Sequence, residues 1–476
     1  MKGLIRLLVS MTVLLFASGA LAQEGSTGGG AELQVSPRSP QAGNVYVPES
    51  SRTQSGLFAH TTYMLRSLDG SKPAALSTPN AAAVAGPLAT TEVAETPASM
   101  GCLYLSSPYS AGCVPNSSSG TGGPSAAGYG AIAIVDAFDN PDAASDLATF
   151  DSYWGLAAPP SFTKIYANGN GDCSTPPADA GWAGEESLDI EWSHVFAPKA
   201  AIVLVEACSN SYTDLLYAEQ VAFEYIVNNY PAGGQVSNSW QGGHPGVADD
   251  PFFADWNYNA VTGYKTPILA FASSGDGGFE GSSEGFPSAV PWVISAGGTS
   301  VLRNPTNLYF SSEACWAGSG GGTNTLEFYT TSWTGGNIGP WADFQYPIYG
   351  GLAGPALRTT PDLSFNADPA SGVWVFSLYG FGGWTPVGGT SVSSPALAGI
   401  VNRAGNKLGS VFLTPITGGG DWFSTWENNL LYSQLATAKA YASNFYDVRT
   451  GSNGTAAVKS YDTCTGVGTP RGLLGK

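Results

Sequence analysis

The sequence predicts an α/β fold in which a mostly parallel central sheet is covered by helices on both faces. Short apolar runs alternate with segments of helical character through the middle of the chain, which is typical of parallel sheets with helical crossovers. The first run, residues 131–135, has the sequence AIAIV and ends at Asp136, as expected of a strand buried on both faces. Ligands of such folds bind at the carboxyl ends of the strands, so the residues that follow strands are candidate site residues.

The alternation predicts the remaining elements in chain order. Asn140 is the predicted cap of the first helix and Pro141 suits its first turn. The predicted helices span about 140–150, 185–194 and 212–229, and the predicted strands after 131–135 span 201–205, 236–240, 268–273 and 292–296.

The N-terminus predicts export. Lys2 and Arg6 give a basic start, residues 4–16 are mostly apolar, and small residues precede Gln23, so residues 1–22 are predicted to be a signal peptide. No later stretch is apolar for the roughly 20 residues that a membrane span requires. We therefore expect a secreted protein, extracellular or periplasmic, with no membrane partner.

Two further regions follow the predicted signal. Residues 23–95 are rich in Ala, Pro, Ser, Thr and Gly, and we expect a leader or short pro-segment there, partly disordered, with room for one ordered piece. The α/β pattern occupies residues 96–476, which we expect to form one monomeric domain.

The charge balance excludes some partners. Eighteen basic residues against 36 acidic ones give a net charge of −18, and the isoelectric point is near 4.4. This argues against nucleic acid or anionic lipid as the main partner. Acidity at this level favours tolerance of acid, because many carboxyls are neutral at about pH 3–4, but plain solubility of a secreted protein explains it equally well.

The cysteines predict disulfides. The chain has six, an even number in a chain predicted to be exported, and none forms a CxxC metal pair. Cys102 with Cys113 is the easiest local closure, whereas the pairing of the other four stays open.

Ser391 is the candidate nucleophile. It lies in the string GGTSVSSP at residues 388–395, followed by an apolar helix of small residues. The glycines permit close approach of a substrate, and a helix N-terminus favours negative charge on an attacked carbonyl. Taken alone, the same string would equally suit an ordinary helix cap.

Glu185 and Asp189 are the candidate base and its partner. They lie four residues apart on a predicted helix, hence on one face, where two carboxyls share a proton and push one pKa upward. The three histidines, His60, His194 and His244, are poor candidates for a base, because imidazole is protonated in acid. We expect His194 to be structural, and we expect the neighbouring acidic residues of the helix, Glu186 and Glu191, on a solvated face.

Asp276 is the fourth candidate. It follows a predicted strand in the string FASSGDGG at residues 271–278, and turn chemistry alone would explain an Asp-Gly pair.

Together these three motifs resemble the sedolisin family, the serine-carboxyl peptidases of the subtilisin-like clan. The resemblance covers roughly residues 96–472 and implies a subtilisin-like fold. It implies an endopeptidase active at acidic pH, in which Ser391 attacks, Glu185 accepts its proton, Asp189 orients Glu185, and a protonated Asp276 donates to the oxyanion. Asp136, which lies where subtilisins have an aspartate, is expected to be structural.

The resemblance also implies a substrate cleft. Ser239 and Trp240 belong to a Ser-x-Ser-Trp strand beside the cleft, although a core tryptophan is nearly as good an interpretation of Trp240. Gly320 and Gly321 are expected in an extended edge that pairs with substrate backbone.

A structural calcium ion is the implied cofactor. The side chains of Asp447 and Asp462 and the backbone carbonyls of Val448, Val458 and Ser460 are the expected ligands, since calcium prefers oxygen. A plain turn is the alternative.

One departure from the family leaves other functions open. We expect no room before residue 96 for the long folded pro-domain of the family. A glycosidase using Glu185 and Asp189 would leave Ser391 and Asp276 without roles. A non-catalytic binding protein on the same scaffold is the third possibility, although all four key positions are filled.

Overall fold

The computed structural model describes most of the predicted domain and part of the predicted leader. The described residues are 44–67, 93–105, 113–115, 127–168, 173–243, 253, 268–281, 285–290, 292–323, 358–405 and 426–476. All of them lie within one unit, Gln34–Lys476. The predicted signal peptide and His244 lie outside the described residues.

The strands of the described residues are, in chain order, β1 (Asn44–Tyr46), β2 (His60–Thr61), β3 (Met64–Ser67), β4 (Ala131–Ala137), β5 (Phe162–Ala167), β6 (Ala201–Ala207), β7 (Gly234–Asn238), β8 (Trp240–Gln241), β9 (Ile268–Ser273), β10 (Phe279–Gly281), β11 (Val293–Arg303), β12 (Phe310–Cys315), β13 (Gly321–Thr323), β14 (Thr359–Thr360), β15 (Leu363–Asn366), β16 (Val373–Ser377), β17 (Gly383–Gly388), β18 (Phe445–Tyr446) and β19 (Thr469–Pro470).

The α-helices of the same residues are α1 (Pro97–Tyr104), α2 (Ala143–Trp154), α3 (Ala180–Phe196), α4 (Tyr212–Asn229), α5 (Leu378–Phe381), α6 (Thr390–Arg403), α7 (Trp426–Ser433) and α8 (Ala438–Asn444).

The central sheet is mostly parallel, as predicted. Its order is β12-β11-β9-β7-β4-β6-β5, and β15 also pairs with β11. All of these pairings are parallel except β11 with β12. The predicted α/β class with a mostly parallel sheet is thereby confirmed.

Both faces of this sheet are covered, which explains the continuous apolar run of β4. Alternate residues of β4 enter different core clusters: Ile132 and Ile134 pack with residues of α3 and α6, whereas Ala133 and Val135 pack with residues of α4. A strand with helices on both sides needs apolar residues at every position.

The predicted bounds were accurate for several elements and wrong for others. Residues 212–229 and 268–273 form a helix and a strand with the predicted limits. The predicted helix start at Asn140 is wrong, because α2 begins at Ala143 with Asp142 in the cap position. Asn140 is buried instead, and its Nδ2 donates to Ala183 O and to Ser187 Oγ of α3, both at 3.1 Å.

Residues 44–67, from the predicted leader, pair with strands of the predicted domain. β3 lies between β1 and β17 in a four-stranded antiparallel sheet whose other edge is β16. β2 pairs antiparallel with β8, which follows β7 of the central sheet. An ordered piece of the leader is therefore part of this fold.

The described residues contain three disulfide bonds. Cys102 pairs with Cys113, as predicted. The other bonds join Cys173 with Cys208 and Cys315 with Cys464.

Candidate active site

Ser391 lies in the first turn of α6, directly after β17. Gly389 precedes the helix with φ of 105°, a conformation that favours glycine. A β-carbon at Gly389 would lie 2.3 Å from the carbonyl oxygen of Thr62, so the tight turn also permits a close approach of backbone. Ser391 is fully buried.

The hydroxyl of Ser391 donates to a carboxyl of another helix. Its Oγ lies 2.8 Å from Oε2 of Glu185, in α3. The two helices can approach because Gly399 of α6 has no side chain: a β-carbon there would lie 2.7 Å from Ser193 O and 2.8 Å from Cβ of Phe196. Ser391 and Glu185, 206 residues apart in sequence, therefore form a hydrogen-bonded pair.

Asp189 lies one helical turn after Glu185, and both carboxyls are fully buried. Asp189 also accepts a hydrogen bond from Ser239 Oγ at 2.9 Å. Burial, with repulsion from Asp189 and Asp136, raises the pKa of Glu185 well above its ordinary value.

Asp136, which was expected to be structural, approaches this pair. It is the penultimate residue of β4 and is fully buried, and neither of its carboxylate oxygens has a hydrogen-bond partner among the described residues. Burial raises the pKa of Asp136, and repulsion from Asp189 and Glu206 raises it further. Two sequence signals fit this proximity: its position at the carboxyl edge of the sheet, and its place where subtilisins have an aspartate.

Asp276 lies beside the first turn of α6, where it binds the residue before Ser391. Its Oδ1 accepts hydrogen bonds from the backbone N–H of Thr390 at 2.8 Å and from its hydroxyl at 3.0 Å. Its Oδ2 is buried and has no partner among the described residues. Burial raises the pKa of Asp276 to about 7, so the group is protonated in acid.

Of the two predicted cleft residues on the Ser-x-Ser-Trp strand, Ser239 lies beside Ser391, whereas the side chain of Trp240 lies in the core. The carbonyl oxygen of Ser239 lies 3.3 Å from Ser391 Oγ. The backbone of Trp240 pairs with Thr61, but its indole is fully buried and donates to Val135 O at 3.0 Å. This indole packs in the core beside Tyr212 and Phe286.

The two predicted cleft glycines pair with the protein's own backbone. Gly320 N donates to Gly275 O at 2.7 Å, and Gly321 pairs with Phe279 between β13 and β10. Both glycines are buried and tightly packed: a β-carbon at Gly320 would lie 2.0 Å from Ser274 O.

The expectation of a solvated face for Glu186 and Glu191 is wrong. Every residue of α3 from Trp182 onward is buried, because the helix runs through the interior. Glu191 Oε2 accepts from Phe376 N at 3.1 Å, and burial raises the pKa of both carboxyls. His194 is structural as expected: it is fully buried, and its Nε2 lies 2.8 Å from Ala157 O.

The predicted calcium residues lie on one C-terminal loop. Asp447 Oδ1 accepts from Ser460 N at 2.9 Å, and Asp462 Oδ2 accepts from Val458 N at 3.0 Å, so both carboxylates face the same short segment. Arg449 also donates to Asp447, at 2.6 Å. Val448, the residue after Asp447, is buried. The described residues contain no group of three or more His, Cys, Asp or Glu side chains arranged to hold a metal.

Among the described residues, no helix combines the length and apolar character needed to cross a membrane.

Sequence comparison finds relatives in one family. No protein-family model matches the chain. Kumamolisin of Bacillus sp. (strain MN-32) is 29% identical over 362 residues, which are 72% of this chain and 58% of kumamolisin. Sedolisin of Pseudomonas sp. (strain 101) is 25% identical over 343 residues, 69% of this chain and 53% of sedolisin. The chain thus spans about half the length of the curated relatives it matches.

Comparison with solved structures finds the same fold in a related protein. The structure of Pseudomonas sedolisin, a serine-carboxyl proteinase complexed with two molecules of pseudo-iodotyrostatin, superposes with a TM-score of 0.57 and 21% identity, covering 80% of this chain and 96% of that chain. With these relatives and this architecture, the chain is similar to the sedolisins and has a subtilisin-like fold.

Proposed function

We propose that the chain is a serine-carboxyl endopeptidase that hydrolyses peptide bonds of proteins at acidic pH. The observation that carries the proposal is the 2.8 Å hydrogen bond from Ser391 Oγ to Glu185 Oε2, which gives a hydroxyl nucleophile a carboxylate base. The names of the relatives support the reaction class, since the superposed structure is that of a serine-carboxyl proteinase.

In the proposed mechanism, Ser391 Oγ attacks the substrate carbonyl while its proton passes to Glu185. Asp189 holds Glu185 in place, and Ser239 in turn holds Asp189 through the 2.9 Å bond to Oδ1. Because Glu185 and Asp189 share a proton, the pair carries one negative charge before attack and becomes neutral when it accepts the second proton. Glu185 then gives a proton to the leaving amine, and water releases the acyl group by the reverse sequence.

The developing oxyanion is stabilised by Ser391 N–H and by a protonated Asp276. A carboxylic acid can donate a hydrogen bond to an oxyanion, whereas a carboxylate would repel it. The pKa of Asp276 is about 7, so the acid form exists below neutral pH and is lost as the pH rises through that value. Proteolysis should accordingly fail near and above neutrality.

The glycosidase alternative fits the geometry poorly. Paired carboxyls of glycosidases stand about 5 Å or more apart, with the glycosidic bond between them. Glu185 and Asp189 instead lie one turn apart on the same helix, fully buried, and Ser391 Oγ lies 2.8 Å from Glu185 Oε2.

A structural calcium ion in the C-terminal loop belongs to the same proposal. Asp447 and Asp462 supply carboxylate oxygen, and the carbonyls of Val448, Val458 and Ser460 lie on the adjoining chain, a donor set that suits calcium. Arg449, whose side chain is 57% exposed, would have to release Asp447 when the ion binds. The ion would fix this loop and takes no part in the steps above.

We also propose the location and organisation that the sequence indicates: a signal peptide at 1–22, a leader at 23–95, and a secreted peptidase domain at 96–476 that acts as a monomer on protein or peptide substrates.

The test is casein digestion between pH 2 and pH 8 by the wild type and by Ser391→Ala. We expect digestion only in acid, and none by the variant. Digestion by a folded Ser391→Ala protein at the wild-type rate would refute the nucleophile. Hydrolysis of an insoluble polysaccharide in place of casein would support a glycosidase instead.

A further inference from the structure

Glu219 and Asn238 form a buried polar pair on the face of the central sheet opposite α3 and α6. Glu219 lies in the middle of α4 and Asn238 is the last residue of β7, and both side chains are fully buried. Asn238 Nδ2 donates to Glu219 Oε1 at 3.2 Å. The pair therefore joins a helix to the strand that leads to Ser239.

Two oxygen atoms of this pair, Glu219 Oε2 and Asn238 Oδ1, are buried and have no hydrogen-bond partner among the described residues. The orientation of the amide is fixed, because Nδ2 also donates to the carbonyl oxygen of Phe271 at 3.2 Å and a flipped amide would place two oxygens against each other. Both amide hydrogens are therefore used. Buried polar atoms in folded proteins nearly always have a partner, so the two oxygens require a donor.

A proton on Glu219 supplies that donor. In the ionised form Glu219 can only accept hydrogen bonds, and both oxygens would stay unpaired. In the acid form the O–H at Oε2 donates to Asn238 Oδ1, while Oε1 keeps the bond from Nδ2. Because the acid and the amide are both planar and have their two polar atoms at similar spacing, the two hydrogen bonds close a cyclic pair.

The other residues of α4 leave Glu219 in apolar surroundings. Its neighbours one helical turn away are apolar and fully buried: Leu215, Ala222 and Phe223. The other titratable residues of α4 are not three or four positions from Glu219, so they do not share its face within one turn: Tyr212, Asp214, Tyr217, Glu224 and Tyr225.

The strands beneath α4 also present apolar residues to this helix. α4 packs on β4, β5, β6 and β7, and the strand residues that face it include Ala133, Val203 and Val236. The charged and titratable residues of these strands occupy the alternate positions, which point to the other face of the sheet: Asp136, Lys164, Tyr166 and Glu206. Burial in these surroundings raises the pKa of Glu219 to about 8, so this carboxyl is protonated in acid.

Asn238 connects the pair to the candidate active site. Adjacent residues of an extended chain point to opposite sides, so Asn238 faces α4 while Ser239 faces α3. Ser239 Oγ donates to Asp189 Oδ1, and the Ser239 carbonyl oxygen lies 3.3 Å from Ser391 Oγ. The position of Asn238 therefore sets both of these contacts.

The same amide reaches the strand that leads to Asp276. The carbonyl oxygen of Phe271 belongs to β9, and β9 ends three residues before Asp276. Asn238 also pairs with Ala272 in the parallel ladder between β7 and β9. One side chain thus ties together the carboxyl ends of two strands, of which one leads to Ser239 and the other to Asp276.

We propose that Glu219 is a positioning residue for the peptidase reaction: in its acid form it donates to Asn238 Oδ1 and closes an acid–amide pair that holds Ser239 and Asp276 at the site. The inference rests on the proposed peptidase function and adds to it a residue that acts only through Asn238. The pair is complete in acid, where the peptidase is proposed to act, and opens when Glu219 loses its proton. Opening slows hydrolysis, because the contacts of Ser239 shift, but it leaves substrate binding unchanged.

The first test replaces Glu219 in two ways. Glu219→Gln keeps the pair, since the glutamine amide donates to Asn238 Oδ1 and its oxygen accepts from Nδ2. Glu219→Met keeps the length of the side chain but removes both the donor and the acceptor. In the cleavage of a peptide at pH 4, we expect kcat of Glu219→Gln to stay within about twofold of wild type, kcat of Glu219→Met to fall about tenfold or more, and KM to change little in either.

Glu427→Met is the matched control. Glu427 lies in α7, is fully buried with neither carboxyl oxygen hydrogen-bonded among the described residues, and has a pKa that burial likewise raises to about 8. We expect only Glu219→Met to lose kcat. A folded Glu219→Met with the kcat of wild type would overturn the inference, and an equal loss of kcat in both methionine variants would assign the effect to general destabilisation.

A second measurement does not depend on activity. In the Ser391→Ala background at pH 6, the infrared difference spectrum between the chain with Glu219 and the chain with Glu219→Gln should contain the carbonyl stretching band of a protonated carboxyl. This band should disappear as the pH rises through about 8. A difference spectrum with carboxylate bands alone at pH 6 would overturn the acid–amide pair, even if Glu219→Met does not fold.

The two readouts separate this inference from the proposed function. Peptide cleavage that is abolished by Ser391→Ala but unaffected by Glu219→Met would overturn the inference alone. A wild type that cleaves no peptide at any pH would overturn the proposed function and the positioning role with it. The infrared band would then still decide whether the acid–amide pair exists.

Discussion

Ser391 and Glu185 meet across the interface of two buried helices, with 2.8 Å between the serine hydroxyl and the carboxyl oxygen. The carboxyl belongs to a helix that lies wholly inside the protein from Trp182 onward. Burial raises the pKa of Glu185, with Asp189 and Asp136 adding to the shift, so a proton taken from the serine is held firmly.

Replacing the proposed base should abolish most of the activity. Glu185→Gln keeps the size of the side chain but cannot accept the serine proton, so we expect kcat to fall about 10³-fold or more. Glu186→Gln is the matched control, since Glu186 is the adjacent buried carboxyl and lies beside Glu206. Steady-state cleavage of a peptide at pH 4 measures both, and equal losses would refute the special role of Glu185.

Asp276 should set the alkaline limit of activity. Asp276→Asn keeps a donor toward the oxyanion at every pH, so we expect kcat/KM to persist above pH 7, where the wild type loses it. Asp276→Ala removes the donor and should cost about 10²–10³-fold at all pH values. The measurement is the pH profile of kcat/KM for both variants. If Asp276→Asn loses activity above pH 7 as the wild type does, another group causes that loss.

The folded protein should be more stable in acid than at neutral pH. Burial raises the pKa of several carboxyls to about 7 or 8: Asp146, Asp151, Glu206, Glu219 and Glu427. Their folded pKa exceeds the unfolded value near 4, so each stabilises the fold fully below pH 4 and loses that contribution as the pH rises to 7 or 8. His194 acts in the opposite direction, because burial lowers its pKa to about 4 and its contribution is lost as the pH falls from 6.5.

Thermal unfolding of Ser391→Ala, which cannot digest itself under the proposal, measures the balance. The five carboxyls together change the free energy of unfolding more than the one histidine does, since one pKa unit corresponds to about 1.36 kcal/mol. We therefore expect Tm at pH 8 to lie at least about 5 °C below Tm at pH 5. A Tm that is equal at both values, or higher at pH 8, would show that these carboxyls are not protonated in the folded state.

Calcium should stabilise the C-terminal loop. In the Ser391→Ala background, added calcium should raise Tm and a chelator should reverse the rise, since an ion that binds only the folded state stabilises it by about 2.7 kcal/mol at a hundredfold excess over Kd. Asp462→Asn should remove the response, whereas Glu49→Gln, an exposed carboxylate elsewhere, should keep it. A calcium response that survives in Asp462→Asn would place the ion at another site.

Sequence determined the parts of this protein that depend on near neighbours. Continuous apolar runs specified strands buried on both faces, and the four-residue spacing of Glu185 and Asp189 placed their carboxyls together on one helix. The short loop between Cys102 and Cys113 likewise indicated the disulfide that the structure contains. Each of these follows from geometry within a single element or a short loop.

Only the tertiary structure determined which other residues these elements contact. Glu186 and Glu191 are charged residues of the kind found on exposed helix faces. They are nevertheless buried, because the surrounding sheet and helices enclose α3. The entry of Thr62 from a low-complexity leader into the candidate site left no sequence signal, because strand pairing uses backbone groups that every residue carries. Contacts between distant segments depend on how whole elements pack, and that information is not contained in local residue patterns.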